Sequence, residues 1–116
     1  MSQPKTLHLA LKKKWFDMIL SGEKKEEYRD KKTYWCRILC EGFSEAEKNG
    51  KAYFSYPQKD FDFIHFTNGY GAHRPQIIVE CMGISLDSGK VEWGFDGQEK
   101  CFVISLGKII ETKNIK

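Results

Sequence analysis

The sequence predicts a small α+β protein: a β-barrel of five to six mostly antiparallel strands, plugged by two short helices near the N-terminus. Three observations predict it. Apolar residues in the C-terminal half fall into short runs separated by turn signals, two stretches near the N-terminus carry helical spacing instead, and the chain holds no repeat, low-complexity segment or linker. Its 116 residues suit one domain, 1–116, large enough to bury roughly two-thirds of its unfolded surface. A hydrophobic content of 41% with 14% aromatics fits a packed globule and not a disordered chain.

Thr6 to Leu11 alternates, with Leu7, Leu9 and Leu11 on one side and His8 and Ala10 between them, the pattern of a strand. Trp15, Phe16, Ile19 and Leu20 then share one face of a short helix, and Gly22 falls where the residue after a helix C-cap belongs. Lys24 to Arg29 reads as an extended segment. Asp30 is placed to cap a second helix whose apolar stripe is Tyr34, Trp35, Ile38 and Leu39. Residues 42–60 are polar, with Gly50 and Pro57, and read as a long excursion with one turn of helix near Glu45. Strands are expected at Phe61 to Thr67, Gln76 to Ser85, Val91 to Trp93 and Cys101 to Leu106. The turns between them are Asn68-Gly69-Tyr70-Gly71, Asp87-Ser88-Gly89 and Asp96-Gly97.

No apolar run approaches the ~20 residues that span a bilayer, and the N-terminus shows no signal-peptide apolar region. A cytoplasmic protein with no membrane partner is expected. Cys36, Cys40, Cys81 and Cys101 form no CxxC pair, so reduced thiols are expected, with no metal and no cofactor. Net charge is +3, but unevenly spread: residues 1–40 carry ten Lys/Arg against five Asp/Glu. The resulting basic face fits phosphate binding as well as a solvated lysine surface.

Two features bear on chemistry. In Gly22-Glu23-Lys24-Lys25-Glu26-Glu27-Tyr28-Arg29, strand alternation puts Glu27 and Arg29 on one side, with Lys25 beside them, and the turn at Gly22 can redirect Lys24 to the same place. Such a cluster of Lys24, Glu27 and Arg29 perturbs the proton affinity of each member; the plain alternative is a salt-bridged edge strand. The second feature is Lys12, Lys13 and Lys14 at the start of the first helix, where cations are unfavourable by some tenths of a kcal/mol each. An anion bound at that end explains them, and so does simple solvation ahead of the helix.

The run Leu7-x-Leu9, Trp15-Phe16-x-x-Ile19-Leu20-x-Gly22-x-Lys24-x-x-Glu27-x-Arg29 resembles the signature of the ASCH domain family (activating signal cointegrator homology), whose GxKxxExR motif is present in full. Tyr34-Trp35-x-Arg37-Ile38-Leu39, Asn68-Gly69-Tyr70, Trp93-Gly94 and Phe102-Val103-Ile104-x-Leu106-Gly107 resemble its small bacterial and phage members, so the likeness covers nearly the whole chain. The resemblance implies a PUA-like barrel with the motif in a cleft, and RNA or nucleotide binding. One branch hydrolyses acetylcytidine with the motif Lys and a Thr at the position of Glu27; Glu27 here removes that nucleophile. Other members cut RNA.

Three functions are therefore weighed. The first binds single-stranded RNA or a nucleotide, with Arg29, Lys24, Lys13 and Lys14 on phosphate and Tyr28 and Tyr70, beside Asn68, as stacking rings. The second is a hydrolase of RNA or a modified nucleoside with Lys24 and Glu27 as catalytic base and acid. The third binds a peptide carboxylate on an unknown protein partner. Trp35, on the apolar stripe of its helix, reads as core more than as platform.

Overall fold

A computed structural model describes residues 3–50, 58–97 and 99–115. Five strands form one mixed sheet in the order β1-β3-β4-β5-β2: β1 is Thr6–Leu11, β2 Glu26–Arg29, β3 Phe63–Asn68, β4 Gln76–Asp87 and β5 Cys101–Lys113. The helices are α1 (Lys13–Leu20), α2 (Thr33–Leu39) and α3 (Phe43–Lys48). The α+β class and early helices follow the sequence pattern; α3 is the helical turn expected near Glu45, while residues 51–57 of that excursion, including Pro57, lie outside the described residues.

The long β4–β5 hairpin organises the sheet. Its open end carries β3 against the first half of β4, Phe63 opposite Glu80 through Thr67 opposite Gln76. Its closed end carries β2 against the first half of β5, Glu26 opposite Ser105 through Arg29 opposite Phe102. Register shifts between Ile78 and Gly83 separate the halves. Bulges bend a strand and add twist, so the two halves face differently. Gly107 sits at this bend, where an added Cβ would meet Glu80 and Met82 at 3.0 Å.

β1 pairs parallel with β3, His8 opposite His65, which a crossover through α1, β2, α2 and α3 makes possible. Leu7, Leu9 and Leu11 alternate inward as expected and join Ile64, Phe66, Ile77, Val79, Phe102 and Ile104 in one core. Phe16 and Ile19 of α1, Cys36 and Leu39 of α2 and Phe43 of α3 complete it. Burying side chains of this size contributes about 1.5–3 kcal/mol each.

Several expectations are corrected. The barrel does not close by hydrogen bonding: β1 and β2 stand at opposite edges of the ladder. Val91–Trp93 is a 3-10 turn, not a strand, because the Lys90 and Val91 carbonyls accept from Trp93 and Gly94, and Gly94 at φ 104° ends it. β5 continues to Lys113, past the expected end at Leu106. Asp30 does not cap α2; the cap position is Lys32, and the Asp30 carboxylate lies 3.4 Å from the Lys32 ammonium. Tyr34 is off the apolar stripe at 60% exposed, and buried Cys36 takes its place. No described helix is long and apolar enough to cross a membrane.

Candidate functional site

The site begins with how α1 ends. Gly22 adopts φ 86°, a left-handed conformation that glycine takes without steric cost, and the Lys24 N–H returns to the Met18 carbonyl. The chain doubles back, and the Lys24 side chain is driven inward to 1% exposure. Its ammonium donates to the Trp93 carbonyl and lies 3.3 Å from Glu27 Oε1. It also sits 5.1 Å from the Trp15 ring centre and 4.8 Å from that of Tyr28. Cations are drawn to ring faces at these distances, more so away from water. Burial lowers the Lys24 pKa, and the Glu27 carboxylate partly offsets that.

Glu27, also buried, holds Arg29 with its other oxygen at 2.7 Å. Arg29 donates to the Ala10 carbonyl at 3.2 Å and lies 4.9 Å from the Trp35 ring centre. Its Nε is buried with no hydrogen-bond partner among the described residues. Arg29 belongs to β2 and Ala10 to β1, so a side chain spans the two edges that the ladder leaves apart. The three motif residues do converge. Lys25 does not join them: it is exposed and flanks β5, because β2 starts only at Glu26 and strand alternation does not reach back to it.

Above this cluster opens a concavity of about 310 Å³, walled by Lys12, Trp15, Glu27, Tyr28, Arg29 and Trp93 among others. Lys24 lies beneath its floor and not in its wall. Lys12, the extended residue ahead of α1, reaches it; Lys13 and Lys14 do not line it. Lys13 instead pairs with Asp17 at 2.5 Å and Lys14 lies 4.6 Å from the Trp15 ring centre, which gives these two cations local partners.

Tyr28 is braced more than free. Its hydroxyl donates to Glu26 at 2.7 Å and accepts from the Lys90 N–H at 2.9 Å, and its ring meets Phe95 edge-on. Burial holds its phenol above the usual pKa. Asn68 is buried at the end of β3, and Tyr70, in the turn after it, is 88% exposed. Neither lines the cleft; Tyr70 borders a second concavity, and Asn68 faces the core side of β3. Sequence reasoning missed Trp93, whose contribution is a backbone carbonyl and leaves no side-chain signal. It also missed the parts of Trp15 and Trp35, since a half-buried ring that backs a cation has the same spacing as a core residue.

Among the described residues no cluster of three or more His, Cys, Asp or Glu is placed to hold a metal. Cys36, Cys40, Cys81 and Cys101 are all free thiols. Comparison with protein families, with curated proteins and with solved structures finds no match for this chain.

Proposed function

We propose that this chain is an ASCH-type, PUA-like domain that binds single-stranded RNA or a nucleotide in the cleft over Glu27 and Arg29. One observation carries the reading: Lys12 and Arg29 line a concavity that holds a single carboxylate, with aromatic walls and the buried Lys24 paired to that carboxylate from behind. An anionic guest with a planar ring suits both features. Arg29 presents a planar fork of donors to phosphate or a base edge. Lys24 acts from below, setting the charge and orientation of Glu27. The bent sheet, with Arg29 reaching the Ala10 carbonyl across its edges, supports the barrel kinship.

Fluorescence anisotropy with labelled single-stranded RNA tests this. With Arg29 and Lys12 neutralising about two phosphates, affinity should fall about 7-fold from 50 to 200 mM salt. Lys12→Ala, an exposed change that leaves the core intact, should roughly halve the logarithmic slope. Absence of binding at low salt, or affinity indifferent to salt, refutes the reading.

A hydrolase reading is favoured by one observation, the desolvated Lys24 with its lowered pKa. Against it, the Lys24 ammonium already serves the Trp93 carbonyl and Glu27, and Glu27 serves both cations. Turnover of acetylcytidine or short RNA by the wild type, lost in Lys24→Met, would reverse this preference.

A further inference from the structure

The cleft shares lining residues with two neighbouring concavities, and they differ in kind. Towards β5, Tyr28 and Gly94 belong both to the cleft and to a hollow of about 360 Å³. Its three lysines, Lys31, Lys32 and Lys100, are matched by Asp30, Asp96 and Glu99, so it offers no net attraction to an anion. Across β1, Ala10 belongs both to the cleft and to a concavity of about 450 Å³ on the sheet face opposite the core. Among the described residues, the lining of that second space holds no Lys, Arg, Asp or Glu and includes three rings, His8, His65 and Tyr70.

β1 and β3 place His8 directly opposite His65, and their ring centres lie 4.9 Å apart at 44°. His65 is held in place by Gln76: the Gln76 amide donates to the Ala72 carbonyl at 3.2 Å, which turns its oxygen onto His65 Nε2 at 2.7 Å. That geometry makes Nε2 the protonated nitrogen and fixes the ring plane. Tyr70 stands at the rim, almost fully exposed, on a turn whose Gly69 and Gly71 take φ 82° and 116°. An uncovered aromatic with no packing duty beside an imidazole pair, one ring of it anchored by Gln76, is an arrangement on which unpaired bases can stack.

We infer that the concavity of His8, His65 and Tyr70 is a second subsite for single-stranded nucleic acid, stacking a base adjacent to the one seated in the Arg29 cleft, with the strand crossing β1 at Ala10. This rests on the nucleotide-binding reading of the cleft and adds that the ligand is an oligonucleotide running towards β3, not towards the lysine hollow.

Binding of random-sequence single-stranded RNA of two, four and six nucleotides is compared with an equimolar mixture of the four nucleoside monophosphates at 50 mM salt. The hexamer should bind at least about 10-fold more tightly than the monophosphates, and Tyr70→Ala and His8→Ala should each weaken the hexamer about 5-fold or more while leaving the monophosphates unchanged. Lys100→Ala should alter neither. Tyr70 is exposed at a turn, so its loss leaves the fold in place, which circular dichroism verifies. Affinity that does not rise with length, or equal weakening of both ligands by Tyr70→Ala, overturns the second subsite. If Lys12→Ala still weakens both ligands in that case, the cleft reading survives; if the wild type binds neither, both fall.

Discussion

Replacing Glu27 by Gln tests the charge arrangement on which the cleft is built. The substitution keeps shape and removes one charge. It leaves the Lys24 ammonium, 1% exposed, without its partner at 3.3 Å, and Arg29 without its partner at 2.7 Å. Removing one member of a buried ion pair costs about 3–5 kcal/mol, chiefly the charge left behind. A chain of this length has a total stability of roughly 6–17 kcal/mol, so the loss is a large fraction of it. In urea, with a slope of about 2 kcal/mol per molar, the midpoint should drop by roughly 2 M. The loss also depends on pH. Burial already lowers the folded-state pKa of Lys24, so the unfolded chain binds the proton more strongly. Stability from this group therefore rises with pH between the folded-state value and the ordinary 10.5, and falls as pH drops. Without Glu27 the folded-state value drops further, so that window widens downward. The Gln variant should thus recover part of its loss when urea unfolding is repeated at pH 9.5. A midpoint shift below about 0.5 M at pH 7, or a deficit that does not shrink at pH 9.5, would refute the buried-triad argument. A Lys24→Met, Glu27→Leu double variant should lose less than Glu27→Gln, because the more deeply buried Lys24 charge goes with its partner and only Arg29 is left without a carboxylate.

Further outcomes follow from the packing around the cleft. Gly89→Ala puts a Cβ 2.4 Å from the Tyr28 ring, so thermal unfolding should show a loss of about 1–3 kcal/mol, with weaker RNA binding as the cleft wall shifts. Ultraviolet titration of the tyrosines should contain one late component from Tyr28, whose phenol is raised by burial; Tyr28→Phe should delete that component and cost about 1–2 kcal/mol through the lost bonds to Glu26 and Lys90. Burial pushes the Cys40 and Cys101 thiols up to about 11 and also raises Cys36 and Cys81. A thiolate-specific reagent at pH 8 should therefore react slowly, Cys81 first, and titrate all four only after unfolding.

Local patterns were legible. Leu7, Leu9 and Leu11 can bury together only as a strand, and Phe16 and Ile19 only as a helix, so β1 and α1 are written in period alone. Gly22 marked the turn that sends Lys24 inward, and alternation along β2 put Glu27 and Arg29 side by side. Val91–Trp93 misled because an apolar, charged, apolar triplet satisfies a strand pattern and a 3-10 turn equally; which one forms depends on a partner strand, and among the described residues no strand pairs with it. Lys13 and Lys14 misled for a similar reason, since a rotation of one residue at a helix start decides which lysine faces the cleft, and it is Lys12.

The residue order by itself determined the α+β class, the inward leucines of β1, the α1 terminus and the meeting of Glu27 with Arg29, because each depends on neighbours within a few positions. Tertiary structure alone decided the rest: the parallel pairing of β1 with β3, the bend in the β4–β5 hairpin, the Trp93 carbonyl on Lys24 and the pairing of His8 with His65. Those contacts join residues dozens of positions apart. Their energy comes from mutual burial, which no local pattern encodes.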